Sequence, residues 1–555
     1  MLRDQVTQLL RTAIEAAQAD GALPQFEVPE IPLGRPKQEM HGDLATPICL
    51  QLAGLAHMAP MKIAQIVVDR LPDTDYFDAV DVARPGFINF SMADRWLAQQ
   101  VETILEAGED LGNVDVGQGR PLQVEYVSAN PTGPLHVGSG RNAVIGDALA
   151  NVMQAAGYEV QREYYVNDAG AQMGLFAETL YTRYAQALGQ DEPLPEGAYQ
   201  GSYMIEMGQR AAQEHGRVFL DLERNEALQA LRRVGLQYSL ESIRDDLALM
   251  GVHYDRWFSE QSLYDDGTFE LVLNLLRERG HVEERDGAVW FAATQLGDDK
   301  DEVIIRSNGE PGYFASDIAY HYDKFVRRGF ERVIDVWGAD HQGHVPRMFT
   351  MMRALGLDPQ RLSIVIYQLV TLRRGGEVVR LSKRTGDIVT AREVLEDVGA
   401  DVVRFFLLSR SAESQMDFDL DLAKEQSNEN PVYYVQYAHA RISSILRLAQ
   451  ERDLPLDGGD VTLLTHPAEL ALIRRMLRLP EVVELAAQTL APHHLAHYAQ
   501  ELAAQFHAFY RDCRVVSSDP ADLPLTLARL KLARAAQIAL AKVLHLMGMT
   551  APEQM

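Results

Sequence analysis

The sequence predicts a multidomain α/β protein, with a parallel-sheet domain at its centre, a smaller α/β domain before it and an all-helical bundle after it. Three observations predict this. The stretch QVEYVSANPTGPLHVGSGRNAVIGD, residues 123–147, reads as a strand, a tight turn and a helix. Glu159–Val166 then reads as a second strand, which makes the helix between them the crossover of a right-handed βαβ unit. From about Asn430 to the end the apolar spacing is helical. A chain of 555 residues has room for three or four such domains.

Composition narrows the class. Hydrophobic residues at 47% and charged residues at 24% are ordinary for a globular protein. Cys49 and Cys513 stand far apart with no C-x-x-C neighbour, which argues against a disulfide framework or a thiolate zinc site and fits a reducing cytoplasm. The first twenty residues read as an amphipathic helix carrying acids, unlike a signal peptide, and no run of about eighteen apolar residues predicts a membrane span. With 52 basic against 79 acidic residues, a net charge of −27, indiscriminate nucleic-acid binding is excluded. Any RNA contact must come from local basic patches.

In chain order, residues 1–107 read as one α/β unit. A first helix leads to a Pro-rich passage, HGDLATPICLQLA is expected to open a second helix near Asp43, and Val80–Phe90 reads as strand. The polar, glycine-rich stretch 108–119 reads as a linker. In the central domain, Leu122, Val124 and Tyr126 alternate with polar residues, and Asn130, Pro131, Gly133 and Pro134 break the strand. The helix is expected from about Gly140, on Ala143, Val144, Ala148, Leu149 and Val152. A helix start at the carboxyl end of a strand offers unpaired N–H groups and a partial positive charge, an anion site within reach of His136 and Asn130. Gly138-Ser139-Gly140 also fits a dinucleotide fingerprint, with Glu159 as its ribose acid. That fingerprint needs its first glycine directly after the strand, and here about ten residues intervene. Residues 175–250 read as helical, and strands are expected to resume at Glu302–Arg306, Val333–Val336 and Leu362–Leu369.

Three later clusters carry polar chemistry. Tyr313 and Asp317, four apart, share a face if the turn at Pro311-Gly312 opens a helix. A planar guanidinium calls for a carboxylate plus a neutral acceptor or aromatic face, and Glu260 would be a second acid. Asp317 taken alone reads better as an ordinary acid in a first helical turn. The run Asp340-His341-Gln342-Gly343-His344 lacks the further ligand a zinc site needs, so substrate or ATP contact at a strand end is the better reading. Arg380-Leu-Ser-Lys383-Arg384 lies on a loop after the hairpin at Leu372, before a capping box of Thr390 and Glu393. Its cations suit a pyrophosphate. In the helical region Tyr433, Tyr437 and Arg441 form one stripe, which could stack bases or could be core.

These motifs, in this order, resemble the arginyl branch of the class I aminoacyl-tRNA synthetases over the whole chain. Asn-Pro-Thr-Gly-Pro-Leu-His-Val-Gly resembles the HIGH region, with Ser139 where a second His is usual. Arg380-Leu-Ser-Lys383 resembles the KMSK loop, with Arg for its first Lys. His41-Gly-Asp, Pro85-Gly-Phe-Ile-Asn-Phe, Asn430-Pro-Val-Tyr-Tyr and the tail GMTAPEQM are similar to further family signatures. The resemblance implies a Rossmann-like catalytic domain at 118–410, with a helical insertion at about 175–250 and the loop at 380–387. It also implies a tRNA-elbow domain at 1–107 and an anticodon-binding bundle at 430–555. The implied reaction joins L-arginine to the terminal adenosine of tRNA(Arg) with ATP and Mg²⁺, through an adenylate, and family members require tRNA before activation.

Carried over residue by residue, His136 and Lys383 are catalytic, and His136, Gly138, Ser139, Arg380 and Lys383 surround ATP. Glu125, Asn130, His136, Glu260, Tyr313, Asp317, His341 and Gln342 surround arginine. Tyr433, Tyr437, Arg441, Arg529 and Arg534 touch tRNA, with Arg474, Arg475 and Arg478 as further candidates for its phosphates. No metal site is expected on the protein itself, and the expected state is a cytoplasmic monomer. A non-enzymatic tRNA-binding relative, a cysteinyl synthetase and a dinucleotide oxidoreductase are the rival readings.

Overall fold

The computed structural model describes residues 2–36, 38–379 and 389–555, with the backbone alone at Leu2, Glu39, Ala171 and Tyr313. The chain forms two units. One comprises residues 109–441, 478–504 and 539–555, the other residues 1–108, 442–477 and 505–538.

The first of these is built on a five-stranded, all-parallel sheet. Its strand order is Leu362–Tyr367, Arg332–Gly338, Pro121–Glu125, Glu159–Val166, Arg256–Ser259. Chain order runs outward from Pro121–Glu125 on one side and restarts beside it on the other. That reversal leaves a crevice at the carboxyl ends of Pro121–Glu125 and Arg332–Gly338, the place where open parallel sheets bind ligands. Leu122, Val124, Val333 and Ile334 are fully buried, as are Gln123, Glu163 and Asp335 in the same strands. The helices Ala171–Ala187, Ser202–His215 and Arg224–Leu249 interrupt the sheet, with a core of their own around Phe176, Tyr184, Met204 and Leu231.

Two sequence expectations change in this unit. The helix after the first strand starts at Val137, with His136 as its N-cap, three residues earlier than the apolar spacing indicates. Glu302–Ile305 does not join the parallel sheet. It closes a small antiparallel sheet with Val282–Arg285 and Ala288–Phe291. The turn between those two is Asp286-Gly287, both at positive φ (51° and 73°), the two-residue hairpin that a D-G pair favours. The parallel position belongs instead to the short strand Arg256–Ser259.

In the other unit, Val80–Phe90 is not one strand: Phe77–Ala83 and Phe87–Met92 are separate strands about the turn at Pro85-Gly86, and Leu44–Thr46, Phe87–Met92 and Phe77–Ala83 form an antiparallel sheet in that order. The helix expected near Asp43 begins only at Ile48, because Pro47 disfavours helical backbone before it and Leu44–Thr46 pairs with Phe90. Gly42 lies at φ 86°, where a Cβ would stand 2.5 Å from the Phe90 carbonyl oxygen. Asp43 accepts from the Met92 amide (2.9 Å) and pairs with Arg474 (2.8 Å). The His-Gly-Asp signature is therefore a structural corner. Cys49 and Cys513 are free and buried. Among the described residues no helix is long and apolar enough to cross a membrane.

Candidate active site

The site begins where the strand Pro121–Glu125 ends. Val127 and Ser128 both take positive φ, 68° and 42°, and for a β-branched residue that conformation is strained. It is held by donors and acceptors on three sides. The Val127 amide donates to Asn142 Oδ1 (2.8 Å), Ser128 Oγ donates to Glu125 Oε1 (2.9 Å), and the Tyr165 amide donates to Ser128 Oγ (3.2 Å). Asn142 also donates to the Val336 carbonyl (2.9 Å), so one helix residue ties the strand ends on both sides of the crevice.

Beyond the turn, His136 caps the helix Val137–Ala155: its Nδ1 accepts from the Ser139 amide at 3.3 Å. A ring that accepts at Nδ1 carries its proton on Nε2 when neutral, leaving one outward donor. The residue opens onto solvent, yet the protein packed around its ring lowers its pKa below the ordinary histidine value, with Asp340 working the other way. Asp340, Trp337 and His341 belong to the other side of the crevice, where the strand Arg332–Gly338 passes into a 3-10 turn, Ala339–His344. His341 and Gln342 are exposed on that turn. Asn130 is exposed as well and donates to Gln172 Oε1 (2.9 Å). Ser139 is buried.

Gly138 has a specific neighbour. A Cβ there would stand 3.0 Å from His136 Cε1 and 3.1 Å from its Nδ1. Gly138→Ala is expected to displace the imidazole and lower kcat about tenfold, roughly 1.4 kcal/mol, with little change in melting temperature. Steady-state kinetics beside a thermal melt check this. The segment after residue 388 returns to the same place: His136 bridges Thr390, the Ala391 amide donates to the Leu135 carbonyl (2.8 Å), and Thr390 and Glu393 complete their capping box. Arg380, Lys383 and Arg384 lie outside the described residues.

The acids lie deeper, around the helix Tyr313–Tyr322 and the π-turn Asp323–Arg327 that continues it. Tyr313 opens that helix, and its side chain lies outside what is described. Burial raises the Asp317 carboxyl to about 7; Glu125, Glu260 and Asp335 add to the rise, and His321 opposes it. Glu260, just past the strand Arg256–Ser259, is also raised, by burial first and with Asp168 adding to it, while hydrogen bonds from Ser316, Tyr165 and the Ala169 backbone work the other way. Its Oε2 is buried with no hydrogen-bond partner among the described residues. Glu125 is buried at the end of the central strand. Three acids expected at the site thus share one electrostatic neighbourhood.

Sequence reasoning missed the groups that hold them. Lys324 is fully buried and donates to Glu125 Oε2 (2.6 Å) and Asp335 Oδ1 (2.9 Å). His321 bridges the Asp335 carboxylate (2.9 Å) and the Asp317 carbonyl (2.8 Å). Tyr320 donates to Glu163 (2.5 Å), which Arg328 also engages. Asp317, Tyr320, His321, Lys324 and Arg328 recur every three or four residues, a helical face that was readable in the sequence.

The five residues expected on tRNA divide between the units. Tyr433 and Tyr437 stack with centroids 5.8 Å apart, and Arg441 lies 5.0 Å over the Tyr437 ring. All three are half-buried. In the other unit Arg529 is committed to the buried Glu469 (2.6 Å) and the Arg514 carbonyl (2.9 Å), while Arg534 is exposed.

Three family models match the chain. They are the N-terminal domain of arginyl tRNA synthetase over residues 4–92, the catalytic domain of class I (R) tRNA synthetases over 100–411, and the DALR anticodon binding domain over 435–555. The arginine–tRNA ligase of Dehalococcoides mccartyi is 51% identical over 554 residues, covering 100% of this chain and 99% of its own. That of Heliobacterium modesticaldum is 47% identical over 561 residues, with the same coverage. Among solved structures, the Thermus thermophilus arginyl-tRNA synthetase aligns over 100% of both chains with a TM-score of 0.76 at 24% identity, a likeness of fold.

Proposed function

The chain belongs to the arginyl-tRNA synthetases, and from that premise we propose how its pocket selects arginine and activates it. It is an arginine–tRNA ligase that uses ATP. The carboxylate of arginine attacks the α-phosphate, pyrophosphate leaves, and the arginyl group of the adenylate passes to the terminal adenosine of tRNA(Arg). Such transfers need positioning and charge stabilisation more than covalent help.

In this reading the arginine side chain enters among Asp317, Glu260 and Glu125. The observation that carries it is the pair of destabilised acids: a carboxyl raised to about 7 at Asp317 and a buried, unpartnered oxygen on Glu260. Buried charge without a partner is costly, and a guanidinium supplies five donors in one plane to relieve it. Tyr313 would add a face, and Asn130, His341 and Gln342 would hold the α-amino acid end. At the helix start His136 would donate from Nε2 to the phosphates, with Ser139 and Gly138 beside it. Arg380 and Lys383 would meet the departing pyrophosphate.

Mg²⁺ enters as the ATP complex, and therefore as substrate, since this ion keeps phosphate and water ligands. Among the described residues no group of three or more candidate ligands could hold a metal. The unit carrying residues 1–108 would touch the tRNA elbow, and the C-terminal helices the anticodon stem. Tyr433, Tyr437, Arg441 and Arg534 are the available contacts, and Arg529 would have to leave Glu469 first. We place the protein in the cytoplasm as a monomer.

Asp317→Ala tests the pocket. It is expected to raise KM for arginine about 10- to 150-fold, the equivalent of a charged hydrogen bond worth roughly 1.5–3 kcal/mol, while KM for ATP stays within about twofold. Unchanged arginine kinetics would remove Asp317 from the substrate.

A further inference from the structure

Lys324 has no assigned part in the reaction, yet it pairs directly with Glu125, one of the proposed substrate acids. It is fully buried, its Nζ shared between Glu125 and Asp335 and seated 4.1 Å over the Tyr320 ring. The lysine stands in a π-turn, Asp323–Arg327, a register that recurs at functional positions in helices. Both oxygens of Glu125 are engaged, Oε2 by Lys324 and Oε1 by Ser128. Asp335 is divided likewise, Oδ1 to Lys324 and Oδ2 to His321, whose other nitrogen reaches the Asp317 backbone.

We propose that Lys324 is a positioning residue for arginine recognition: a resident cation that holds the Glu125 and Asp335 carboxylates in place and, through Asp335 and His321, fixes the backbone that presents Asp317. The proposal rests on the reading that Asp317 and its neighbours receive the arginine side chain. The charged groups facing Lys324 are Glu125 and Asp335 directly. Glu163 stands behind the Tyr320 hydroxyl, where Arg328 and, at 3.7 Å, Arg256 balance it. Asp323 beside it pairs with Arg328 at 2.7 Å. Asp317 faces Glu125, Glu260 and Asp335 with His321 opposing. Burial alone would strip the lysine of its proton, but Asp335 and Glu125 outweigh it and hold its pKa above the ordinary value. The same attraction keeps Asp335 below the ordinary aspartate value.

The consequence is a pH dependence with a definite sign. A guanidinium binds ionised carboxylates, so KM for arginine should fall as pH rises toward about 7, where Asp317 loses its proton, and level off above. Without Lys324 the carboxylates of Glu125 and Asp335, which already raise Asp317, act on it with no cation between them. The falling limb should move upward by about one pH unit, which is about tenfold in KM at neutral pH.

The experiment measures KM for arginine and for ATP from pH 6 to 9 in the full-length wild type, Lys324→Met, Lys324→Arg, His321→Gln and Asp317→Asn. The expected result is an upward shift of the arginine limb in Lys324→Met, recovery at pH 9, partial restoration in Lys324→Arg, and an unmoved KM for ATP. His321→Gln, which keeps a donor toward Asp335 but removes the ring that opposes the rise at Asp317, should move the limb the same way and answers the question if Lys324→Met does not fold. An unmoved limb in a folded Lys324→Met or His321→Gln, or a parallel rise in both KM values, overturns the proposal. If Asp317→Asn leaves the arginine KM unchanged, the substrate reading itself fails. If Asp317→Asn raises KM while the Lys324 limb stays put, only the role of Lys324 falls.

Discussion

Replacing Arg404 by alanine is expected to cost the sheet-bearing unit about 3–5 kcal/mol, the penalty for stranding one partner of a buried ion pair. Arg404 is fully buried and grips three parts of the chain at once. It pairs with Asp147 on the helix Val137–Ala155, and donates to the Met547 carbonyl (2.8 Å) and the Met250 carbonyl (2.8 Å). A Cβ at Gly548, which lies at φ 69°, would collide with its guanidinium. The tail beyond is fastened by Asp401, which accepts from the Thr550 amide (3.1 Å) and from Gln436 (2.6 Å). Losing the arginine would leave Asp147 charged and buried and three distant segments untied. Chemical denaturation should show the loss. A midpoint unchanged from wild type would mean that Asp147 finds another donor or a proton at little cost.

Replacing His136 by alanine is expected to lower kcat by about 10²–10³, roughly 2.7–4 kcal/mol, with substrate KM values within about threefold. The ring has two jobs, and they separate. Its Nδ1 caps the helix through the Ser139 amide, and its Nε2 is the one donor left to face a phosphate. His136→Asn keeps a good cap, so it should melt close to wild type, whereas His136→Ala should lose about 1 kcal/mol of stability. Both should lose kcat alike. If the asparagine variant retained wild-type kcat, the imidazole would be a cap and no more.

Local order carried much of this into the sequence. The strand Glu159–Val166 has the same bounds in both readings, because alternation and flanking turn residues act within a few positions. The Thr390 capping box is likewise a contact between residues three apart. The helix start at Val137 was not legible from apolar spacing, since its first turn is glycine and polar residues and histidine is not among the usual caps. What stayed hidden is long-range. Arg141 is fully buried because the carbonyls of Gln368, Ser411 and Ser414 converge on it, from residues more than 220 positions away. Asp335 and Glu163 sit in strands that otherwise read as apolar or mixed surface, and the distant partners Lys324 and His321 on one, Arg328 and Tyr320 on the other, account for them. Arg529, an exposed cation by its type, is taken by Glu469.

The most direct measurement compares aminoacylation of tRNA(Arg) with L-arginine and with L-citrulline, its uncharged isostere. If Asp317, Glu260 and Glu125 form a socket for a flat cation, citrulline turns a carbonyl oxygen toward buried carboxylates and brings no charge to them, and kcat/KM should fall by about 10⁴ or more. Ratios within about tenfold of one another would mean that the acids do not meet the side chain and that arginine is chosen elsewhere.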